Sequence, residues 1–372
     1  MNMVMKRQLS VRLAVRFVAA WLLVVGFASL PRIAAAEPYL AVEAGLKCGQ
    51  CHVNPSGGGK RTPFGMLYAR NQISAHAVDL VEGHKPWTGD VSARWFAVGG
   101  DFRGGYESVE VPGSEKTDEW DVSKATVYAE LRLVPNLLEI YVDQKIAPDD
   151  SENREAYLKL TPKNGKFVVK AGQMFLPFGL RLQDDNTFVR QASGVNFLTP
   201  DDGVEFGLEL AKWSAQFAVI EGESGSDDTL SGSAVYVLPK WRLGASLNTS
   251  EDAFGDRTMQ SVFGGLKTGP ISWLAELSMI HDTAPAGDND SYATLLEGNW
   301  RLRKGHNLKV GYEFLEPNED RDEDQQERYS LVYEYNPIQF MQGRVGVRRY
   351  NGIPNIAASN RDELFAELHV YF

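Results

Sequence analysis

From about Ser92 to Phe372 the chain repeats one pattern, a run of roughly ten residues alternating apolar and polar side chains and closed by turn residues. In the last run Leu364, Ala366, Leu368, Val370 and Phe372 share one face, and Phe365, Glu367, His369 and Tyr371 share the other. The same split separates Leu308, Val310, Tyr312 and Phe314 from Lys309, Gly311 and Glu313, and Tyr329, Leu331, Tyr333 and Tyr335 from Arg328, Ser330 and Glu334. Successive side chains of a strand point to opposite sides, so one face suits lipid and the other a lumen. Short turns, such as Pro135-Asn136 and Asn336-Pro337, alternate with longer polar loops, such as 109–119, 149–153, 175–202, 251–256 and 316–327. Seven short turns and eight long loops predict about sixteen strands with both chain ends on the short-turn, periplasmic side. The expected fold class is therefore all-β, an antiparallel transmembrane barrel, with a soluble β-sandwich as the competing reading.

Arg181, Glu297, Glu313, Arg344, Arg348 and His369 are expected on the lumen side as guides for a substrate. Aromatic residues make up 11% of the chain, and Trp95, Trp120, Trp213, Trp241, Trp273 and Trp300 are expected in the two interfacial girdles.

The N-terminus breaks the pattern. Lys6, Arg7, Arg12 and Arg16 precede an apolar stretch from Phe17 to Leu30 and a small-residue site at Ala34-Ala35-Ala36. This predicts an export signal over residues 1–36, the apolar run being shorter than the roughly 20 residues of a spanning helix. Removing its five basic residues takes the net charge from -11 to -16. A chain so acidic is a poor ligand for nucleic acid, whereas cations and metal ions suit it. The loop from Glu316 to Glu327 alone holds seven acids and one base. Such a mouth would concentrate cations, though it serves equally as a solvated loop bridged to outer-membrane lipid by divalent ions.

The chain's 2 cysteines stand at Cys48 and Cys51, with His52 next, in the run Cys48-Gly49-Gln50-Cys51-His52. This spacing attaches one haem c covalently: two thiols a turn apart meet the two vinyl groups, and the following imidazole meets the iron. A redox dithiol, a disulfide and half a zinc site compete with it, but the βαβ context of the first and the second ligand pair of the last are missing from the sequence. Met66, His76 and His84 are the candidates for a sixth iron ligand. Pro55-Ser56-Gly57-Gly58-Gly59 reads as a turn, with glycines that let backbone approach the porphyrin edge as the other reading. Residues 37–86 then form a monohaem cytochrome c-like module, and residues 87–372 the barrel. A module of this size has a marginal core of its own, and a barrel of sixteen strands leaves an aqueous lumen, so the module is expected to plug the barrel from the periplasmic side.

Two stretches resemble known families. Ala171 to Leu180, followed by Phe188-Val189-Arg190-Gln191 and by Asp202 to Gly207, resembles the phosphate-selective porin family. That likeness implies a porin barrel whose long third loop folds into the lumen. Ala44-Gly45, the Cys48 to His52 motif and Pro63-Phe64-Gly65 together resemble the fused monohaem porin-cytochromes of iron-oxidising bacteria. This second likeness implies an outer-membrane cytochrome that takes electrons from extracellular Fe(II). The leading expectation is electron transfer between an extracellular reduced metal and a periplasmic carrier such as a cytochrome c. A solute-diffusion porin with a structural plug and a haem peroxidase or sensor are the alternatives, and the sequence singles out no catalytic residue.

Overall fold

Period-2 alternation becomes a closed wall. The computed structural model describes residues 37–79, 85–184, 186–195, 200–220, 229–252, 255–284 and 287–372, all within one compact unit. The export signal and His84 lie outside the described residues.

A short strand, β1 (Asp90–Ser92), pairs with the start of β2 (Phe96–Glu110). The chain then runs up and down through β3 (Thr117–Val134), β4 (Leu138–Ala147), β5 (Glu152–Leu160), β6 (Phe167–Met174), β7 (Asp201–Glu209), β8 (Trp213–Ile220) and β9 (Thr229–Val237). It continues through β10 (Trp241–Asp252), β11 (Gly255–Thr268), β12 (Ile271–Thr283), β13 (Asn289–Arg303), β14 (His306–Glu316), β15 (Gln326–Ile338), β16 (Met341–Asn351) and β17 (Asp362–Tyr371). Every strand from β2 to β17 pairs antiparallel with its sequence neighbours, and β17 pairs with β2, so the sixteen close into a barrel. At the seam the Phe372 and Gly100 backbones exchange two hydrogen bonds of 3.1 Å. A side chain at Gly100 would collide with the Phe372 ring, which is why glycine stands there.

The wall faces follow the sequence reading. Along β12, Trp273, Ala275, Leu277 and Met279 are exposed while Leu274, Glu276, Ser278 and Ile280 are buried. Leu243, Val310 and Val345 stand more than half exposed on the outside, a surface that costs free energy in water and none in hydrocarbon. Exposed Trp95, Trp213, Trp241, Trp273 and Trp300 lie near the short turns. Toward the long loops stand the ring pairs Tyr106–Trp120, Tyr292–Phe314 and Tyr312–Tyr329, their centroids 5.2 to 5.7 Å apart. These are the two girdles of a membrane barrel.

One expectation about connections is corrected. The segment 251–256 is not a long loop: β10 and β11 extend through it, Asp252 pairs with Gly255, and only residues 253–254 connect them. The polar residues there had suggested a loop, but ladder pairing of Ser250 with Arg257 and Glu251 with Asp256 carries the strands past them.

Two inserts fill the lumen. From one side comes the β6–β7 connection, carrying helix α4 (Phe188–Ser193), as the porin resemblance implied. From the short-turn side comes the segment ahead of β1, which holds three short helices, α1 (Pro38–Ala44), α2 (Cys48–Cys51) and α3 (Pro63–Tyr68), and a π-helical turn at Ala69–Ile73. The inserts meet in one apolar cluster, where Tyr39 and Val42 of α1 join Leu180, Leu182, Phe188 and Val189 of the β6–β7 connection against Phe263, Leu274 and Leu295 of the wall.

Candidate functional site

The segment that carries the cysteines is built from short-range rules. Pro38 opens α1 and Gly45, at φ 65°, closes it, the usual placement of both residues. Lys47 is extended and starts α2, a single turn that ends at Cys51. His52 leaves the helix in an extended conformation and bridges Arg61. Between them Gly57, Gly58 and Gly59 all have positive φ, and each has a reason. A Cβ at Gly57 would touch Cys48 Cβ at 3.4 Å, one at Gly58 would strike the Arg181 guanidinium, and one at Gly59 would strike the Tyr141 hydroxyl. The expected turn is thus also a close approach to the wall. Thr62 caps α3 by accepting from Gly65 N at 3.1 Å, and it ties α3 to the cysteine turn by donating from N to Cys51 O at 2.9 Å and from Oγ1 to Gln50 O at 2.8 Å. Gly65 is obligatory, since a Cβ there would run into Cys51 O.

The wall holds this segment through both its backbone and its side chains. Arg242 donates to Leu46 O, Lys267 to Glu43 O at 2.7 Å, Lys159 to Val53 O at 3.2 Å and Arg301 to Gln72 O. Asn336 O and Pro337 O accept from Ala75 N at 2.8 Å and His76 N at 2.9 Å. Side-chain anchors add to these: Lys60 pairs with Glu130 at 3.1 Å, Asn54 Nδ2 donates to Glu155 at 2.8 Å, Tyr39 donates to Glu334 at 2.9 Å, and Arg61 lies over the Tyr371 ring at 3.7 Å. Glu37 meets Lys309 at 3.2 Å. Burial, with Glu334 close by, pushes the Glu37 carboxyl up to about 7.

Cys48, Cys51 and His52 line one large cavity inside the barrel, with an empty volume of about 1690 Å³ including its mouth. Its other walls are Phe175 to Arg181 of the β6–β7 connection, Tyr68 and Ile73 of the segment, and Arg242, Phe263, His369 and Tyr371 of the barrel. Both thiols are free, and His52 Nδ1 is buried without a hydrogen-bond partner. Burial, reinforced by the Arg61 and Arg181 guanidiniums, lowers the His52 imidazole to about 3, so the ring is neutral. Burial raises the Cys51 thiol to about 11. Two thiols a helical turn apart, a neutral imidazole beside them and an apolar-walled space with arginines on its border are the donor set and surroundings that a covalent haem requires.

The sixth-ligand candidates fare differently. Met66 is buried in α3, and His76 is exposed on the rim; neither is among the residues that line the cavity. His369, expected only as a lumen guide, lines it instead. Its ring is already engaged, meeting Asp101 Oδ2 and an Arg103 nitrogen, each at 3.1 Å. The alternation of β17 put His369 inside, but nothing local placed it on the cavity of the cysteine turn.

Of the remaining guides, Arg181 lines the large cavity, where it donates to Gly57 O at 2.5 Å, and Glu297, Glu313, Arg344 and Arg348 line a smaller inner pocket. Arg328 and Arg348 both grip Asp184 of the β6–β7 connection, at 3.1 and 3.0 Å, and Arg328 pairs with Glu313. Burial opposes ionisation of Asp184, but the guanidiniums of Arg348, Arg328 and Arg344 hold its carboxyl well below the usual range. Arg344 pairs with Glu367 at 3.1 Å, and Lys309 with Glu297 at 3.6 Å. Fully buried Lys170 meets fully buried Glu205 at 3.0 Å. Asp184 thus fastens an insert to the wall, whereas Arg344–Glu367, Lys309–Glu297 and Lys170–Glu205 join neighbouring strands on the lumen face.

No family model and no curated protein matches the chain. Solved structures do. OmpT of Vibrio cholerae matches at TM-score 0.60 with 12% identity over 76% of this chain and 99% of its own. An anion-selective porin from Comamonas acidovorans matches at TM-score 0.60 with 12% identity over 74% and 99%. The outer membrane channel DcaP of Acinetobacter baumannii matches at 0.58 with 12% identity over 74% and 97%. These likenesses show the fold, a porin-like barrel of sixteen strands.

Proposed function

We propose that this chain is an outer-membrane electron-transfer protein that carries one c-type haem inside its own barrel. The observation that carries the reading is the meeting of Cys48, Cys51 and His52 on a large cavity in a barrel whose lumen is otherwise occupied. Cys48 and Cys51 would hold the porphyrin through thioethers, and His52 would present its imidazole to the iron. Bound there, haem supplies a one-electron carrier alternating between Fe(III) and Fe(II). The polypeptide fixes the cysteine turn through Thr62, keeps the imidazole neutral by burial, and excludes water with Phe175, Phe178 and Phe263. The outward apolar belt and the two girdles support placement in the outer membrane, with the short turns on the periplasmic side. Exposed acids on the long loops, among them Glu319, Asp320, Asp322 and Glu323, suit an extracellular reduced metal such as Fe(II) as donor. The acceptor would be a periplasmic carrier.

The porin-like fold favours a second reading, solute diffusion past a structural plug, and the filled lumen weighs against it. One preparation tests both. The protein is purified from outer membranes of a host with c-haem maturation, its absorption spectrum is recorded, and oxidised protein is mixed with Fe(II) in stopped flow. The expected result is a c-type spectrum and reduction that His52→Ala abolishes, with no steady conductance in planar bilayers. A colourless, conducting protein would instead be a diffusion porin.

A further inference from the structure

The two ends of the barrel carry opposite charge. At the long-loop end exposed acids crowd together, from Glu115 to Asp149 and Asp150, then Asp288 and the 319–323 group, beside Asp118, Glu152 and Asp290, which pair with Lys116 at 3.6 Å, Lys145 at 3.3 Å and His281 at 2.7 Å. The short-turn end is built the other way. Its acids are consumed in ion pairs: Glu139 with Lys159 at 2.7 Å, Glu209 with Lys47 at 2.6 Å, Asp90 with Arg132 at 2.9 Å, and Glu43 with Arg301. Lys163 and Lys166 on the β5–β6 turn, Lys212 on the β7–β8 turn and Lys240 on the β9–β10 turn all point into solvent.

These turns follow one another around the rim, and two of them hold the residues just ahead of Cys48. Lys47 Nζ donates to Leu210 O at 2.8 Å on the β7–β8 turn. Gly45 packs against Pro239 of the β9–β10 turn so closely that a Cβ would lie 2.8 Å from its Cα. Arg242, one residue past the start of β10, reaches both Leu46 O and the Cys48 side chain. The cationic arc therefore stands beside the cysteine turn, where Gln50 is exposed. Exposed Arg94 on the β1–β2 turn and Arg303 and Lys304 on the β13–β14 turn add cations elsewhere on the same rim, and charge alone would also suit lipid phosphates. The contact of the β7–β8 and β9–β10 turns with the residues just ahead of Cys48 is what favours a partner that must approach the cysteine turn.

We infer that the short-turn rim formed by Lys163, Lys166, Lys212 and Lys240 is the docking surface for an acidic soluble electron carrier. The inference rests on the electron-transfer reading for the nature of the partner, but the surface itself is a property of the folded barrel. Complementary charge raises encounter rates and falls away with salt.

The test uses the full protein in nanodiscs of zwitterionic lipid and, as probes, two labelled soluble redox proteins, one of net negative and one of net positive charge at pH 7. Binding is followed by anisotropy at low and at high salt, with electron exchange measured in parallel. The negative probe is expected to bind, to weaken at least tenfold on raising the salt, and to weaken at least tenfold when all four lysines are changed (K163E, K166E, K212E, K240E). The positive probe is expected to gain affinity in that variant. Heat-modifiable mobility on gels checks that the variant is a folded barrel, and single reversals replace it if it is not. If the negative probe binds equally well before and after reversal, the proposal is wrong. If reversal changes only retention on vesicles of anionic phospholipid, the arc is a lipid contact and the proposal is likewise overturned. A preparation without haem that still shows the charge-dependent binding would sink the electron-transfer reading while leaving the docking surface standing.

Discussion

The two inserts that share the lumen are tethered differently. The β6–β7 connection is tied into the wall at both ends, and the wall grips much of it by its backbone: Leu180 N and Phe188 N donate to Glu276 and Glu313 at 2.8 Å, Gly179 N donates to Ser246 at 3.0 Å, and Asn186 O and Ala192 O accept from Arg328 and Arg257, while the Asp184 side chain sits between Arg328 and Arg348. The N-terminal segment is tied to the barrel covalently at one end only. The wall grips it by its carbonyls, through Arg242, Lys267, Lys159 and Arg301, and by its side chains, Tyr39, Glu43, Lys47, Asn54 and Lys60 pairing with Glu334, Arg301, Glu209, Glu155 and Glu130. Within this anchored segment Cys48 and Cys51 form no disulfide, and His52 Nδ1 is buried without a hydrogen-bond partner. One insert is a loop folded inward from the wall, and the other brings the cysteine turn to the cavity.

The sharpest way to break this contrast is to remove one insert at a time. Deleting residues 37–79 is expected to turn a silent barrel into a conducting one, with single-channel current rising by orders of magnitude in planar bilayers. Shortening 180–190 is expected to leave conductance low, because the N-terminal segment still fills the short-turn half.

Next in size is Glu313→Ala. It strips Arg328 of a buried partner and Phe188 N of its acceptor, and should cost about 3 kcal/mol. Thermal melting and faster proteolysis within 175–200 would report it, with thiol labelling at Cys48 in the apoprotein unchanged.

A pH effect separates the inserts further. The folded state raises the Glu37 carboxyl from 4.5 to about 7, so it binds a proton more tightly than the unfolded chain does. Its contribution to seating the segment is full below pH 4.5 and lost as pH rises to 7, about 3 kcal/mol across that window. Maleimide labelling of Cys48 and Cys51 in the apoprotein, corrected for intrinsic thiolate reactivity, should therefore quicken from pH 5 to pH 7.5, and Glu37→Gln should flatten the dependence. The smallest expected effect is that of Tyr39→Phe, which loses one hydrogen bond to Glu334, about 1 kcal/mol, again seen as faster labelling without a change in the barrel's melting.

Much of the wall was legible because a strand's chemistry is local: the alternation of Leu364, Phe365, Ala366 and Glu367 fixes both element and face without knowledge of any neighbour. The Cys48 to His52 spacing is local too. What could not be read depends on which distant surfaces meet. Met66 and His76 are near His52 in sequence, while His369, 317 positions away, shares its cavity because β17 forms part of the wall around it. The acidic run at 251–256 was misread for the same reason, its strand character being conferred by the partner strand. The inner charges likewise gave no sign of which would hold an insert, as Arg328 and Arg348 hold Asp184, and which would only join neighbouring strands, as Arg344 and Glu367 do.

The position of the seam bears on how the molecule is made. β2 and β17 bring residues such as Asp101 and Tyr371 together from opposite ends of the barrel sequence, and loop-closure entropy makes so distant a pairing late. The N-terminal segment is the stretch of chain that immediately precedes β1 and β2, so it waits at the open edge while the sheet is still a curved ribbon. A barrel that zipped first would have to admit α1 and its buried Tyr39 through a finished ring of turns. Biogenesis is thus a matter of sequence in time: the cargo is stowed while the hull is open, and the last strand shuts the hatch.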